Sequence, residues 1–350
     1  MPCVPGKRAI LDKNSPMLQH KLIQQRQTNW QQSLAEAIRD PAELLKMLDL
    51  PAELLPASTA MTEQFPLRVP RSFITRMAKG DAHDPLLRQV LPMDVELQDS
   101  PGFSLDPVGD HAAVIKQGLL QKYQGRVLIM TTAACAIHCR YCFRRHFPYS
   151  ERGGRQSQWQ QICDEIARDN SIHEVILSGG DPLSLSDTQL KQLIGMLEKL
   201  PQLQRLRIHS RYPIVLPERV DNSLLEWLGS TRLNTVMVIH SNHANEIDKH
   251  VKHALKQLKS TGLTLLNQTV LLRGVNDSSE ALCQLSETLF EAGVLPYYLH
   301  QLDKVQGATH FEVSKKQAKQ IITEVRTRLP GYLVPQLVEE VPLTAYKQPL

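Results

Sequence analysis

From Arg126 to Asp303 the chain alternates short apolar runs with longer segments whose apolar residues recur every three or four positions. The runs read RVLIMTT (126–132), EVILSGGD (174–181), RLRIHSR (205–211), NTVMVIHSN (234–242), LTLLNQTVLL (263–272) and YYLHQLD (297–303). Short runs that are apolar on both faces suit parallel strands covered by helices. The segments between them suit the covering helices: SDTQLKQLIGMLEKL opens with a capping box of Ser186 and Gln189, and EIDKHVKHALKQLKSTG stops at Gly262. Six such units predict an α/β fold, a partial (β/α)6 barrel of TIM type, with an open doubly wound sheet as the alternative. Before about residue 110 the pattern is helical and irregular. DPAELLKMLDLPAELL places Asp40 as an N-cap with Pro41 in the first turn, and its apolar residues, with Trp30, predict a face packed on the core. Prolines punctuate 66–107. The expected division is a helical N-terminal region (1–110), the barrel (111–305) and a short C-terminal segment (306–350) that completes the site.

Each run ends in polar residues that a buried strand has no reason to carry: Cys135, Gly179-Gly180-Asp181, His209-Ser210-Arg211, His240, Gln268 and Asp303. In a parallel barrel the strand C-termini form one mouth, where active sites are built. The densest chemistry follows the first run. CAIHCRYCFRR (135–145) carries Cys135, Cys139 and Cys142 in a C-x3-C-x2-C spacing. Structural zinc sites usually take two separated ligand pairs, and a zinc reading here has to recruit His138 or His146 as fourth ligand. Three thiolates on one short loop suit an iron-sulfur cubane better. Such a cluster normally takes four thiolates, so three leave one iron open to a ligand. Arg140, Arg144, Arg145 and His146 lie beside the cysteines and would offset the cluster's negative charge.

Composition narrows the setting. A chain of 350 residues, 42% of them hydrophobic, can bury a large core. Its 6 cysteines, half of them clustered, are too sparse for a disulfide scaffold and predict a reducing compartment, with Cys3, Cys163 and Cys283 as spares. The N-terminus lacks a continuous apolar stretch of signal-peptide type, and no run approaches the roughly 20 apolar residues of a membrane span. The expected location is cytoplasmic, without a membrane partner. The net charge of +4 comes from interspersed basic and acidic residues, with no long run of one sign that would bind nucleic acid.

A C-x3-C-x2-C loop directly after the first strand is the motif of the radical S-adenosylmethionine superfamily, and Gly179-Gly180-Asp181 resembles its Gly-Gly-Glu type turn. From about Leu67 onward, LRVPRSFITRM, DPLLRQVLP, KYQGRVLIMTTAACAIHCRYCFRRHF, ILSGGDPL, RIHSRYPIVLPERV, HSNHANEI and NQTVLLRGVND resemble the lysine 2,3-aminomutase family in collinear order. HCRYCFRRHFPY and LPYYLHQLDKVQGATHF resemble its short bacterial branch, which makes β-lysine for attachment to elongation factor P. The resemblance implies an isomerase that converts (S)-α-lysine to (R)-β-lysine by adenosyl-radical hydrogen abstraction and pyridoxal phosphate-assisted 1,2-amino migration. It implies a [4Fe-4S] cluster on Cys135, Cys139 and Cys142, with S-adenosyl-L-methionine and pyridoxal 5'-phosphate as further cofactors.

Residue roles follow from the same resemblance. Lys347 matches the lysine that binds pyridoxal phosphate, although the turn before it, VPLTAYK, lacks the family's glycines. Lys122, Tyr123 and Arg126 match pyridoxal phosphate contacts, Lys122 standing where the family has arginine. Gly179, Gly180 and Asp181 match the turn beside the methionine moiety, and Ser210, Arg211, His240 and Gln268 match contacts to S-adenosylmethionine or the neighbouring pocket. Arg144 matches the residue that holds the substrate carboxylate, a task for a planar, permanently charged fork. Asp303 and Glu340 match two acids that grip the distal ammonium of lysine, Glu340 replacing an aspartate, with Glu339 as its alternative. The implied partners are L-lysine, an elongation factor P ligase pathway that uses β-lysine, and an electron donor such as flavodoxin. Two other readings stay open: a non-catalytic scaffold for elongation factor P, and an aminomutase for another amino acid.

Overall fold

The computed structural model describes residues 30–57 and 63–350; Cys3 and the part of the expected helical region at 1–29 lie outside the described residues. Ten strands form one sheet in sequence order. These are β1 (Val114–Lys116), β2 (Leu119–Leu120), β3 (Arg126–Thr132), β4 (Glu174–Gly179), β5 (Arg205–Ser210), β6 (Asn234–His240), β7 (Thr264–Val270), β8 (Leu295–His300), β9 (Gln336–Glu339) and β10 (Gln348–Pro349). Strands β3 to β9 run parallel, and β1, β2 and β10 extend the two ends antiparallel. A helix of two or more turns follows each of β3 to β8: α1 (Trp159–Ala167), α2 (Asp187–Leu197), α3 (Asn222–Ser230), α4 (Lys249–Ser260), α5 (Ser279–Glu291) and α6 (Lys315–Arg328). The six expected runs are thus six βα units of a partial barrel. The parallel order never reverses, which removes the doubly wound alternative, whose sheet needs a reversal point.

Local chemistry explains the helices. Ser186 Oγ accepts from Gln189 N at 3.3 Å while Gln189 reaches back to Ser186 N at 3.1 Å, so the expected capping box starts α2. Asp248 caps α4, whose Val251, Ala254, Leu255 and Leu258 form one buried stripe, and Gly262 adopts φ +87 just beyond its end. These stripes pack on the outer face of the sheet, against Val127, Ile129, Val175, Leu177, Leu206 and Ile208. Full burial of each such side chain contributes about 1.5–3 kcal/mol.

The inner face differs. Arg126 and Leu128 on β3, and Arg207 and His209 on β5, alternate along their strands and are only half-buried. The barrel interior is therefore lined for a ligand rather than filled as core.

Three features outside the six runs shape the site. The C-terminal segment is continuous with the barrel at 305/306, because β9 pairs in parallel with β8 and α6 packs on α5. Strand β9 was not among the expected runs. In the N-terminal region Asp40 accepts from Ala42 N at 2.9 Å, as its sequence implies, and Trp30 meets Tyr212 edge-on at 6.0 Å, docking that region on the barrel. Finally, Val341 to Thr344 make a turn with Pro342 second and Leu343 third, and Thr344 N donates to Val341 O at 3.4 Å. Leu343 sits at φ +64 and is 97% exposed. A turn of this kind ordinarily has glycine at that position, so the turn persists here without the glycine. Among the described residues no helix is long and apolar enough to cross a membrane.

Candidate active site

The half-buried strand positions enclose a cavity of about 330 Å³. It gathers Lys122, Tyr123, Arg126, Arg144, His240, Gln268, Asp303, Glu340 and Lys347, nine of the residues expected from the sequence, on one set of walls.

Asp110, which the sequence did not single out, organises one wall. Arg144 Nε donates to its carboxylate at 2.6 Å and Lys122 Nζ lies 2.7 Å away. Burial alone would raise the Asp110 carboxyl, but Arg144 and Lys122 beside it hold it at about 2. It therefore stays ionised at neutral pH. Arg144 Nη1 also donates to Ser178 Oγ at 3.1 Å, so two partners fix the guanidinium, and Nη2 has none among the described residues.

Glu340 organises the facing wall. It accepts from the Tyr123 hydroxyl at 2.7 Å, faces Lys122 at 3.5 Å and pairs with Lys347. Burial opposes its ionisation, yet Lys347 and Lys122 hold the carboxyl below its usual range. Glu339 instead pairs with Lys315 at 2.6 Å, so Glu340 is the acid of this pair that reaches the cavity. Asp303 has no hydrogen-bonded partner for its side chain among the described residues, and burial pushes it up to about 7 although Lys347 nearby pulls the other way. Arg126 lies over the Tyr123 ring at 4.6 Å and has no anionic partner among the described residues. Lys122, by contrast, is already engaged by Asp110 and Glu340.

Three histidines complete the lining. His209 Nδ1 and His240 Nε2 are 3.3 Å apart. Burial depresses both, His240 to about 3, so the pair is neutral at physiological pH. His300 Nε2 is buried without a partner. Arg207, His209 and His300 had a signal in the two-residue alternation of their runs, since RLRIHSR puts Arg207 and His209 on one face. Asp110 opens the one-turn helix Asp110–Ala113, outside every run, and had none.

The cysteine loop leaves β3 through a register shift between Met130 and Thr132, the kind of irregularity that re-aims a chain beside a site. Cys135, Cys139 and Cys142 are half-buried free thiols. The Gly-Gly-Asp turn braces this loop. Gly180 N donates to Thr132 O at 2.7 Å and Asp181 N to Ala134 O at 2.8 Å. A Cβ on Gly180 would lie 2.4 Å from Ala134 O, and Gly179 has φ +118, so the chain itself requires both glycines. Asp181 accepts from Leu183 N at 3.0 Å, Ser210 Oγ at 2.8 Å and Arg211 N at 2.7 Å, tying the ends of β4 and β5 together. Gly179, Gly180, Asp181, Ser210 and Arg211 thus do not line the cavity; the structure employs them beneath the cysteine loop.

The arginines expected to balance the cluster's charge are partly shared with a buried acid. Arg140 and Arg145 both pair with buried Glu96, at 2.7 and 2.9 Å, and lie over the Phe65 ring. His138 Nδ1 is 2.8 Å from Pro66 O and His146 Nε2 is 3.2 Å from Gln306 O. Of this set only Arg144 faces the cavity. Both histidines of the zinc reading are engaged by carbonyls. Among the described residues no three His, Cys, Asp or Glu side chains converge around one ion, whereas a cubane holds its thiolates at separate corners.

Residues 123–209 match the sequence family described as a 4Fe-4S single cluster domain. The chain is 49% identical over 323 residues to the L-lysine 2,3-aminomutase of Escherichia coli (strain K12), covering 92% of this chain and 94% of that protein. It is likewise 49% identical to the L-lysine 2,3-aminomutase of Haemophilus influenzae, over 92% of this chain and 95% of that one. Against the Clostridium subterminale L-lysine 2,3-aminomutase the identity is 31%, over 92% and 77% of the two chains. Likeness of this extent, carried by a cluster loop at a barrel mouth, means that the chain belongs to the L-lysine 2,3-aminomutase family, isomerases of the radical S-adenosylmethionine type with a [4Fe-4S] cluster, S-adenosylmethionine and pyridoxal phosphate as cofactors.

Proposed function

We propose that this protein converts (S)-α-lysine to (R)-β-lysine and supplies it for modification of elongation factor P. The observation that carries the reading is one cavity holding Lys347, a doubly fixed guanidinium on Arg144 and the two acids Asp303 and Glu340. The residues fit the three cofactors. Three free thiols on one loop suit the cluster, and the orphaned His300 Nε2, the unpaired Arg126 and the Lys347 amine suit a phosphorylated aromatic aldehyde. When bound, the cluster and S-adenosylmethionine supply one-electron chemistry for hydrogen abstraction, and pyridoxal phosphate supplies a ring that eases the nitrogen shift.

The chain's part is to bind and orient. Arg126 would offer a cation to a phosphate, and Lys347 Nζ would be the amine that holds the aldehyde. Arg144 presents Nη2 to the substrate carboxylate while Asp110 and Ser178 hold the other nitrogens, which limits the geometries in which the substrate can sit. Asp303 and Glu340 serve the distal ammonium. A glutamate substrate would bring its second carboxylate against these acids and be rejected. The neutral histidine pair adds polarity without charge.

The elongation factor P role is supported by the resemblance of HCRYCFRRHFPY and LPYYLHQLDKVQGATHF to the branch that serves that factor. Reduction of the cluster calls for a low-potential donor such as flavodoxin. Protein reconstituted without oxygen, given pyridoxal phosphate, S-adenosylmethionine, a reductant and L-lysine, should yield β-lysine by mass spectrometry, with ornithine and glutamate turned over far less. Equal or better turnover of either competitor would move the assignment to another amino acid. Cells lacking the protein should contain elongation factor P lighter by a β-lysyl group, and an unchanged mass would remove that role.

Asp303 gives the site a pH dependence. Its native carboxyl, raised by burial to about 7, lies above the unfolded value of about 3.9. The native state therefore holds this proton more tightly, and the linked stability falls as pH climbs from about 4 to 7. Binding of an ammonium runs the other way, because it needs the ionised acid. KM for lysine should fall as pH rises through about 7, and Asp303→Asn should flatten that limb. A wild-type KM that ignores pH between 6 and 8, roughly one unit to each side of that value, would rule out the role.

A further inference from the structure

Beneath the cysteine loop lies a buried polar layer that the proposed chemistry does not use. Arg211, 5% exposed, is at its centre. Its backbone N donates to Asp181, Nη2 donates to Gln89 Oε1 at 2.6 Å and Glu246 Oε2 at 3.2 Å, and Nη1 donates to Cys139 Sγ at 2.6 Å. The rings of Phe73 and Tyr141 flank the guanidinium, each 5.6 Å from its carbon. Glu246, fully buried, is pinned in turn by Asn242 N at 2.9 Å, His243 N at 3.1 Å and Gln89 Nε2 at 3.1 Å. Asn242 Nδ2 donates to the Tyr141 hydroxyl at 2.7 Å and to Gln89 Oε1 at 3.0 Å. These partners hold the guanidinium with Nη1 on the thiol and Nη2 on its counter-charge, Glu246.

We infer that Arg211 is a positioning residue that sets the reduction potential of the cluster held by Cys139, delivering a fixed positive charge that Glu246 partly offsets from its far side. The inference rests on the three cysteines being cluster ligands. Arg140 and Arg145 share one carboxylate, Glu96, whereas Arg211 donates directly to a thiol. Reduction brings one electron from the external donor onto the cluster, raising its negative charge by one. A cation in contact stabilises that reduced state, and it does so strongly where water is excluded. Hydrogen bonds to the sulfurs and nearby charge are the means by which a protein moves such a potential. Arg211 is unchanged by the step; it exchanges no electron and no proton.

The signs make the test. Wild-type protein, Arg211→Met, Arg211→Lys and Glu246→Gln are reconstituted anaerobically, and the cluster is titrated with the reduced form read by electron paramagnetic resonance, alongside iron content and thermal melting. At matched iron content Arg211→Met should shift the midpoint to lower potential, Glu246→Gln to higher, and Arg211→Lys should remain close to wild type because it keeps the charge. A role confined to packing would leave the midpoint in place or move the Met and Gln variants in the same direction, and either result overturns the inference. If Arg211→Met takes up no cluster, the other two variants decide: a Glu246→Gln midpoint at or below wild type overturns it. Wild-type protein that forms no cluster at all would instead remove the cysteine assignment, and the inference with it.

Discussion

Cys142→Ala should leave the barrel folded while cluster iron, 5'-deoxyadenosine and β-lysine all fall to background. The loop does not depend on the thiol for its shape: Cys142 N donates to Cys139 O at 3.0 Å, and Arg145 N donates to Cys142 O at 3.1 Å. Alanine keeps both of these bonds. What it removes is one of three sulfurs that must share a cluster, with no fourth cysteine among the described residues on that loop. Burial, with the Cys139 thiol close by, pushes the Cys142 thiol up to about 11 in the bare protein. Only a metal that displaces the proton makes a thiolate favourable there. Iron and sulfide content, visible absorbance and product analysis check the expectation. Cys163→Ala, within the outer core, is the matched control and should keep its iron. Wild-type iron and turnover in the Cys142 variant would end the cluster reading.

Lys347→Ala has the second large effect: pyridoxal phosphate should no longer be fixed by borohydride reduction, and turnover should vanish. Lys347 is the amine in the cavity that is held by a single ion pair, with Glu340, whereas Lys122 is shared between Asp110 and Glu340. Breaking a buried pair commonly costs about 3–5 kcal/mol, but Glu340 keeps Tyr123 and Lys122, so the loss of stability should be smaller. Lys347→Arg separates charge from chemistry, since it can still face Glu340 yet cannot condense with the aldehyde. Both variants should melt near wild type, bind the cofactor only reversibly and make no β-lysine. Full cofactor retention and turnover in Lys347→Ala would show that another amine does this work.

Much of this was legible in the sequence because parallel strands buried on both faces leave a nearly continuous apolar trace. The six runs became β3 to β8; of the polar residues at their ends, His209, His240, Gln268 and Asp303 line the cavity, while Gly179 to Asp181, Ser210 and Arg211 lie beneath the cysteine loop. Strand β9 was harder, since QLVE is four residues long and is recognised as a strand only through its pairing with β8. The three arginines among the cysteines carry the same local signal. They are told apart by Glu96, more than forty residues upstream, which claims Arg140 and Arg145 and leaves Arg144 free to face Asp110. Asp110 and Glu96 were invisible for the same reason: a lone carboxylate in a short helical turn announces nothing until the fold supplies its cation. Arg211 was read from resemblance as a cofactor contact, and its burial against Cys139 depends on Gln89 and Glu246, both remote in sequence.

The two faces of each barrel strand answer to separate demands, and this has a bearing on how such a protein can change over time. Outward residues such as Leu206 and Ile208 hold the helices, while their neighbours Arg207 and His209 line the cavity. A substitution at one set need not disturb the other, because alternate side chains of a strand point to opposite sides of the sheet. The fold can therefore trade one cavity-lining residue for another, and with it the shape or charge of the accepted amino acid, without re-solving how the chain stays folded. Divergence in substrate would be expected to accumulate at alternate positions, a two-residue rhythm running across otherwise unaltered strands.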